Sequence, residues 1–310
     1  MKAALLYAPG DLRVEDVPRP EPGPGDVLVQ IEVALTDGTD QKTFQRGHPL
    51  LARESPAPFG HEFCGIVDGS RVVAANSAPC GACDGCARGE QCRDLVFLAG
   101  AYAEWIVVPE RIAAVNLHPV PRGVAPEVAA MVEPLACCLR GVERAGIVAG
   151  DHVAILGTGP IGLMLAACVA DAGGWPVVVG GREQRRSLVE LFGAEPGDGS
   201  GADVVIEAGG TEQAWADAVA LVRPVGTVVM FGGLPRDARP AVDAFRLHYE
   251  ELTLRGSFHH TPAAVRAALV FLASGAYPWE RLVTHRVGLE GLSELFADPP
   301  CDLLKAAVPL

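Results

Sequence analysis

The feature that most constrains this 310-residue chain is a glycine-rich turn between an apolar run and a helix-like segment. The run Val153-Ala154-Ile155-Leu156 has the length of a buried strand, and Leu163 to Ala172 has the composition of a helix. Between them stand Gly157-Thr158-Gly159-Pro160-Ile161-Gly162, and another apolar strand, Pro176 to Val179, follows. In such a unit the glycines allow the turn, the approach of a pyrophosphate to the backbone, and close packing of helix on strand. We therefore predict a dinucleotide site, with an ordinary glycine turn as the alternative.

The residues after the second strand indicate which dinucleotide is bound. NAD sites usually have an Asp or Glu there, about 20 residues after the glycines, which binds the ribose 2′-hydroxyl. This sequence has Gly180-Gly181 instead, followed by Arg182, Arg185 and Arg186. Because a guanidinium can bind a phosphate bidentately, we predict a preference for NADP over NAD through Arg182 and Arg186. For Arg185 and Arg186, the alternative is the solvated start of a helix from Glu183 to Phe192.

Composition is that of a globular protein, which we place in the cytoplasm. The length allows two domains, and 49% of the residues are hydrophobic. A formal net charge of −13 disfavours nucleic acids and anionic membranes as partners. Met1 to Tyr7 is typical of a short strand rather than a secretory leader, and no apolar stretch is long enough to span a bilayer. In a reducing compartment, nine cysteines favour metal binding or catalysis over disulfides.

The pattern of apolar residues changes once along the chain. Up to about Leu117 it is typical of antiparallel strands, most clearly in Val27 to Val33, where apolar and polar residues alternate. From about Pro126 strands alternate with helices, which predicts an α/β fold with a doubly wound parallel sheet. The predicted strands of this sheet are Val153 to Leu156, Pro176 to Val179, Asp203 to Ala208 and Gly226 to Phe231. We expect the tail from Leu289 to Leu310 to return to the first domain.

Four cysteines lie close together in the β-rich part. Cys80, Cys83 and Cys86 are three residues apart, and Cys92 follows. Four thiolates on one loop suit a tetrahedral zinc that has no open position, so such a zinc would be structural. An iron–sulfur cluster or unligated thiols are the alternatives.

Two further segments carry polar residues whose individual signals are weak. The adjacent His61 and Glu62 are, by themselves, typical of a surface pair or a satisfied buried group. Asp37 and Asp40 flank Gly38-Thr39 directly after the predicted strand, a composition typical of a turn.

The order of these segments is more specific than any one of them. The Asp37 loop, Gly60-His61-Glu62, the four cysteines, Val132-Glu133-Pro134-Leu135 and the glycine-rich turn follow one another in the chain. In this order the chain resembles, over nearly its whole length, the zinc-containing medium-chain dehydrogenase/reductase family, which includes alcohol, sorbitol, threonine and glucose dehydrogenases. The resemblance implies a GroES-like catalytic domain at residues 1–120 and 270–310, a Rossmann domain at residues 121–269, and a catalytic zinc in the cleft between them.

The resemblance also implies the ligands of that zinc. His61 matches a zinc ligand, and Glu62 matches the adjacent acid that lies near or transiently on the metal. Glu133 matches the Glu-Pro motif that completes the metal shell, directly or through water. Asp37 stands where the family usually has a cysteine, an exchange in which the chain is similar to some glucose dehydrogenases. A carboxylate is a legitimate zinc ligand and is harder than a thiolate.

Other positions follow or depart from the family pattern. Thr39 matches the hydroxyl that passes the substrate proton outward, and Lys42 replaces a histidine that often continues this relay. The gap before Cys92 is shorter than usual, which puts strain on the fourth cysteine ligand. The segments from Gly65 to Arg71 and from Gly193 to Gly201 are also abbreviated, and we expect these changes to shorten surface elements only.

The implied activity is the reversible oxidation of an alcohol to a carbonyl, with zinc as Lewis acid and NADP(H) as hydride carrier. A shell of nitrogen and oxygen ligands suits substrates with several hydroxyls, so we expect a sugar, a polyol or a similar secondary alcohol. One alternative is a zinc-independent NADPH-dependent reductase whose metal site was lost with the cysteine. The other is a non-catalytic NADP-binding protein. The family further implies a homodimer or homotetramer.

Overall fold

The computed structural model describes residues 1–48, 54–181 and 185–310. The chain forms two compact units. The first unit contains Met1–Pro134 and Thr261–Leu310, and the second contains Leu135–His260. The first unit therefore includes both ends of the chain.

Mostly antiparallel sheets form the framework of the first unit. A small sheet has the order β2-β1-β4, and a larger one has the order β10-β6-β5-β3-β18-β17, with β9 also paired to β3. Their strands are β1 (Lys2–Ala8), β2 (Asp11–Asp16), β3 (Val27–Leu35), β4 (Ala57–Pro58), β5 (Glu62–Val67), β6 (Ser70–Ala74), β9 (Trp105–Val108), β10 (Leu117–Pro119), β17 (Val283–Arg286) and β18 (Lys305–Pro309). A further pair, β7 (Ser77–Ala78) and β8 (Val96–Phe97), lies beside the cysteine segment.

The predicted strand at Val27 to Val33 is confirmed as the first seven residues of β3. Val29, Ile31 and Val33 are buried, whereas Gln30 is exposed and Glu32 is half-buried, as the alternation of apolar and polar residues requires. The abbreviated segment after Gly65 is a tight turn, because Val67 on β5 pairs directly with Ser70 on β6.

The helices of the first unit are short and lie in the loops between strands. They are α1 (Gly38–Arg46), α2 (Asp84–Ala87), α3 (Glu110–Asn116), α4 (Pro126–Ala129), α10 (Pro262–Ala273) and α11 (Leu292–Ala297). The C-terminal tail belongs to this unit, as expected. Its strand β18 pairs antiparallel with β3, and Leu292, Phe296 and Val308 lie in the same hydrophobic core as Ile31 and Phe63.

The second unit is a doubly wound sheet, which confirms the predicted α/β fold. Its strands have the order β13-β12-β11-β14-β15-β16, and each neighbouring pair is parallel. They are β11 (His152–Leu156), β12 (Trp175–Val179), β13 (Glu195–Gly197), β14 (Ala202–Glu207), β15 (Val222–Met230) and β16 (Thr253–Gly256). The helices are α6 (Pro160–Asp171), α7 (Arg186–Leu191), α8 (Glu212–Leu221) and α9 (Ala244–Tyr249), while α5 (Val132–Ala145) crosses the boundary between the units in the sequence.

Helix α6 is apolar on all sides and buried, with Leu163, Met164 and Leu165 inaccessible to solvent, because both the strands and other helices pack around it. In the part of the chain that the structure describes, no helix combines the length and the hydropathy needed to cross a membrane.

Candidate metal and cofactor sites

Asp37 is the N-cap of helix α1, and this role fixes the direction of its carboxylate. Asp37 Oδ1 accepts a hydrogen bond from the Asp40 backbone N–H at 2.9 Å, and Asp40 Oδ2 accepts one from the Asp37 N–H at 3.3 Å. This reciprocal pair is a capping box. Asp37 Oδ2 lies 3.9 Å from His61 Nε2. The local turn chemistry therefore turns one oxygen of Asp37 toward the predicted histidine ligand.

His61 stands directly before β5, and its ring is oriented by Asp40. His61 is 4% exposed, and its Nδ1 lies 3.0 Å from Asp40 Oδ1. Because a carboxylate only accepts hydrogen bonds, Nδ1 carries the hydrogen in this contact and Nε2 is left to face Asp37. A metal-ligating histidine is commonly oriented in this way by a carboxylate on its other nitrogen.

Burial and neighbouring charges shift the pKa values of His61 and Asp37 in opposite directions. Burial lowers the pKa of His61, but the carboxylates of Asp40 and Asp37 outweigh it and hold the pKa well above its usual value. Burial raises the pKa of Asp37, but His61 and Lys305 outweigh it and hold the pKa below its usual value. In the metal-free site an ionised Asp37 carboxylate thus faces a protonated His61, and a divalent cation would displace the imidazolium proton when it binds both side chains.

Glu62 forms an ion pair with Lys305 that is inaccessible to solvent on both sides. Lys305 Nζ donates to Glu62 Oε1 at 2.7 Å and to Oε2 at 2.6 Å, and it lies 3.3 Å from the Thr36 carbonyl oxygen. Burial raises the pKa of Glu62, and Lys305 opposes this shift. Glu62 is therefore held beside the site by a lysine that comes from β18.

Donor atoms of Asp37, His61 and Glu62 lie within 4.8 Å of one another. Nitrogen and oxygen donors of this kind fit zinc, and the anchored Nδ1 of His61 leaves the other nitrogen for the metal. Glu133 lies outside this group of three, although it is buried in the first turn of α5 and its carboxylate raises the pKa of His61.

Thr39 and Lys42 both lie on α1, two and five residues after Asp37, and both are half-buried. The Thr39 carbonyl oxygen accepts a hydrogen bond from Thr43 Oγ1 at 2.7 Å, which is a contact of the helix backbone. The structure thus places the predicted relay residues on the same helix as Asp37, and their part in proton transfer stays a prediction.

The four cysteines form a compact cluster around α2. The Sγ of Cys83 lies 3.5 Å from that of Cys86 and 3.8 Å from that of Cys92, and the Sγ of Cys80 lies 3.9 Å from that of Cys86 and 3.6 Å from that of Cys92. Four thiolates about 2.3 Å from a tetrahedral zinc are separated by about 3.8 Å, so the cluster fits zinc. The shorter gap still lets Cys92 reach the other cysteines.

Cys83 has the N-cap position of α2, and this position makes its thiol more acidic than that of an ordinary cysteine. The backbone N–H of Cys86 lies 3.5 Å from Cys83 Sγ and lowers the pKa of Cys83 to about 6, with help from the Cys86 thiol. A thiolate is the form that binds zinc, so the local backbone prepares this ligand for a metal.

The glycine-rich turn in the second unit connects β11 to α6. Gly159 is the N-cap of α6, and the space around its α-carbon is open. A Cβ on Gly162 would lie 1.9 Å from the Gly157 carbonyl oxygen, so any side chain there would push the helix off the turn. Free N–H groups at the start of a helix are suited to bind a pyrophosphate, and such binding at α6 stays a prediction.

Three arginines follow β12 in the sequence, and the structure describes two of them. Arg182 lies outside the described residues. Arg186 begins α7 and is exposed to solvent. Arg185 Nη1 lies 3.5 Å from the Thr158 carbonyl oxygen, so this side chain, which sequence reasoning left undecided, reaches the glycine-rich turn.

Glu207, at the carboxyl end of β14, was not identified from the sequence. Its buried carboxylate accepts a hydrogen bond from the Gly210 N–H at 2.6 Å, and the Gly232 N–H donates both to the Glu207 carbonyl oxygen at 2.9 Å and to the carboxylate at 3.2 Å. It thereby joins the loops after β14 and β15. Ligands of doubly wound sheets generally bind at this edge, which is where Glu207 lies.

Three residues beside the metal group were also missed: Asp40, which contacts His61, Tyr102, whose hydroxyl contacts Asp40 Oδ2, and Lys305, which pairs with Glu62. A signal existed for Asp40, because an aspartate three residues after an N-cap aspartate is the spacing of a capping box. Lys305 is 243 residues from Glu62, and no local pattern connects the two.

Two family descriptions match the chain. Residues 23–122 match the alcohol dehydrogenase GroES-like domain, and residues 197–274 match the zinc-binding dehydrogenase domain.

Curated relatives match nearly the whole chain. An erythritol/L-threitol dehydrogenase of Mycolicibacterium smegmatis is 30% identical over 93% of this chain and 91% of its own. A sorbitol dehydrogenase of Halalkalibacterium halodurans is 30% identical over 92% of both chains. Among solved structures, a zinc-binding dehydrogenase of Sinorhizobium meliloti bound to NADP is 31% identical, covers 100% of this chain and 99% of its own, and has a TM-score of 0.88.

The alignments to these relatives span more than nine-tenths of the chain and so both units, and the matched domains cover the segments that hold the cysteine cluster, the Asp37–His61–Glu62 group and the edge of the sheet. The chain belongs to the zinc-containing medium-chain dehydrogenase/reductase family of oxidoreductases.

Proposed function

We propose that the protein is a zinc-dependent dehydrogenase that interconverts a hydroxylated secondary alcohol and its carbonyl with NADP(H). The observation that carries the proposal is the buried group of Asp37, His61 and Glu62, whose donor atoms lie within 4.8 Å of one another. A carboxylate and an imidazole at this spacing would hold a zinc ion without the thiolate that the family usually supplies.

Each residue of the site has a distinct part in the proposed reaction. Asp37 Oδ2 and His61 Nε2 hold the metal, and Glu133 completes its shell directly or through water. Bound zinc supplies a Lewis acid that polarises the substrate oxygen, and NADP supplies the hydride acceptor. Thr39, the second residue of α1, takes the alcohol proton and passes it outward, with Lys42 at the outer end of this path.

The preference for NADP is supported by the residues around the end of β12. Gly180 and Gly181 occupy the place of the acid that would bind a ribose 2′-hydroxyl, so neither of these two residues sets a carboxylate against a 2′-phosphate. Arg185 reaches the glycine-rich turn, and Arg182 and Arg186 stand on either side of it in the sequence. The relative from S. meliloti is bound to NADP.

The substrate class is supported by the ligand set and by the relatives. Nitrogen and oxygen ligands leave zinc more electrophilic than thiolates do, which suits a substrate that chelates through two hydroxyls. The relatives named for erythritol or threitol, sorbitol and L-galactonate all act on polyhydroxylated molecules. We therefore propose a sugar, a polyol or a similar compound.

We further propose one catalytic and one structural zinc per chain, the second in the cysteine cluster. Catalysis belongs to the domain of residues 1–120 and 270–310, and cofactor binding to residues 121–269. A homodimer or homotetramer is proposed because strand β16 is an edge of its sheet among the described residues, and the nearby Phe245 and Tyr249 are exposed. The cytoplasmic location stays a prediction.

Metal content per chain tests the proposal, measured for the wild type and for Asp37→Ala, together with NADP reduction on a panel of polyols and sugars. We expect two zincs in the wild type, one in the variant, and loss of polyol oxidation with the second zinc. One zinc in both proteins would refute the catalytic metal site. NADPH-dependent reduction of an activated double bond would then favour the zinc-independent reductase, and tight NADP binding without turnover would favour the non-catalytic protein.

A further inference from the structure

We propose that Tyr102 is a positioning residue of the metal site, whose hydroxyl fixes the Asp40 carboxylate and, through it, the ring of His61. The inference rests on the proposed function, since it assigns a role toward the metal that Asp37 and His61 would hold. Tyr102 lies 62 residues from Asp40 in the sequence and touches none of the proposed ligand atoms itself.

The first argument concerns the choice of hydrogen-bond acceptor. Tyr102 is inaccessible to solvent, so its hydroxyl requires a partner. The Leu35 carbonyl oxygen at 3.1 Å would satisfy it, but Asp40 Oδ2 lies closer, at 2.5 Å. A hydroxyl has one hydrogen, and the shorter contact to a carboxylate is the stronger one. The hydroxyl therefore donates to Asp40, although the Leu35 carbonyl oxygen would be enough to satisfy a buried tyrosine.

The second argument concerns what the Asp40 carboxylate does with its two oxygens. Oδ1 accepts from His61 Nδ1, and Oδ2 accepts from Tyr102 and from the Asp37 backbone N–H. Three groups from separate parts of the first unit thus hold one carboxylate. Without the hydroxyl, Oδ2 keeps only the 3.3 Å contact to Asp37, and the carboxylate can rotate away from the imidazole.

The third argument concerns the tyrosine ring, which is built into the backbone before His61. Gly60 has a φ of +85°, and a Cβ there would lie 2.7 Å from the ring. The Tyr102 N–H donates to the Phe59 carbonyl oxygen at 3.0 Å, and the rings of Phe59 and Phe296 pack around Tyr102. Because the ring is confined, replacing Tyr102 by Phe removes the hydroxyl and leaves the packing in place.

The experiment compares the wild type with Tyr102→Phe, using the full chain freed of metal by a chelator. The affinity for Zn²⁺ is measured by competition with a chelator of known affinity, and the site is also loaded with Co²⁺ for its visible absorption spectrum. Thiolate-to-cobalt bands identify the cysteine cluster, so the two sites are read separately. Tyr7→Phe is the matched control, because Tyr7 also donates to a carboxylate, Glu15 Oε1 at 2.8 Å, away from the metal cluster.

We expect Tyr102→Phe to weaken Zn²⁺ binding at the Asp37–His61 site by about 10–100-fold and to change the Co²⁺ spectrum there, as outer-shell partners of metal ligands generally do. The cysteine cluster and the Tyr7→Phe protein keep wild-type behaviour. Asp40→Asn with Tyr102→Phe should lose no more affinity than Asp40→Asn alone, because Tyr102 acts through Asp40.

Three results would overturn the inference. Unchanged affinity and spectrum, with only a lower unfolding temperature, would make Tyr102 a core residue. If the losses of Zn²⁺ affinity caused by Asp40→Asn and by Tyr102→Phe add up in the double variant, Tyr102 does not act through Asp40. A wild type that binds metal only in the cysteine cluster would refute the proposed catalytic site itself and the inference with it, whereas the first two results leave that site intact.

Discussion

Replacing Lys305 by Met tests how the buried ion pair with Glu62 contributes to folding. Both side chains are inaccessible to solvent, and one ammonium group contacts both carboxylate oxygens within 2.7 Å. Removing one partner of such a pair costs about 3–5 kcal/mol of unfolding free energy, because the remaining charge is buried without compensation. At about 2–4 °C per kcal/mol, the unfolding temperature of the first unit should fall by roughly 10 °C.

The loss of stability in Lys305→Met should depend on pH. Burial already raises the pKa of Glu62 in the folded protein, and removing Lys305 removes the group that opposes this shift. When folding raises the pKa of a carboxyl group, the folded state favours its protonated form. The resulting contribution to the free energy of unfolding is complete below the unfolded-state pKa and is lost as pH rises through the folded-state pKa. The deficit of Lys305→Met should therefore be larger at about pH 8 than at about pH 5.5, where protonation of Glu62 relieves the buried charge.

Calorimetric unfolding of chelator-treated protein provides the measurement. Lys2→Met is the matched control, since Lys2 pairs with Glu290 at 2.5 Å on the exposed surface and its loss should leave the unfolding temperature nearly unchanged. The double variant Glu62→Met with Lys305→Met should recover most of the stability, because it leaves no unpaired charge. If Lys305→Met costs no more than Lys2→Met, or if the double variant is as unstable as the single one, the reasoning about the buried charge is wrong.

Two further predictions concern the second unit. Glu207→Gln should lower the NADPH affinity by about tenfold, because an amide cannot accept from both Gly210 and Gly232 as the carboxylate does; a fluorescence titration that gives wild-type affinity would contradict the assignment. Arg182→Ala should weaken NADP binding by about tenfold and leave NAD binding unchanged. Equal losses for both cofactors would refute the contact with the 2′-phosphate, and Arg122→Ala, at an exposed position of the first unit, is the control.

Much of the fold could be predicted because its determinants are local. The run Val153 to Leu156 and the glycines after it lie within ten residues, and they produce β11, the turn and α6 as expected. The cysteine cluster was predictable for the same reason, since Cys80 and Cys92 are only 12 residues apart. Of the predicted helix from Glu183 to Phe192, the structure shows Arg186–Leu191 with Arg185 as its N-cap, and Glu183 lies outside the described residues.

The sequence alone determined the strand–turn–helix unit and the thiolate spacing, since each depends on residues that are neighbours in the chain, whereas Asp37 and His61 were implied as ligands only by the resemblance to the family. Only the tertiary structure decided that Asp40 orients His61, that Tyr102 contacts Asp40 and that Lys305 contacts Glu62. These contacts join segments 21 to 243 residues apart and arise from the pairing of β3 with β5 and β18. A buried polar group binds the partner that the sheet brings to it, and no pattern of neighbouring residues encodes that partner.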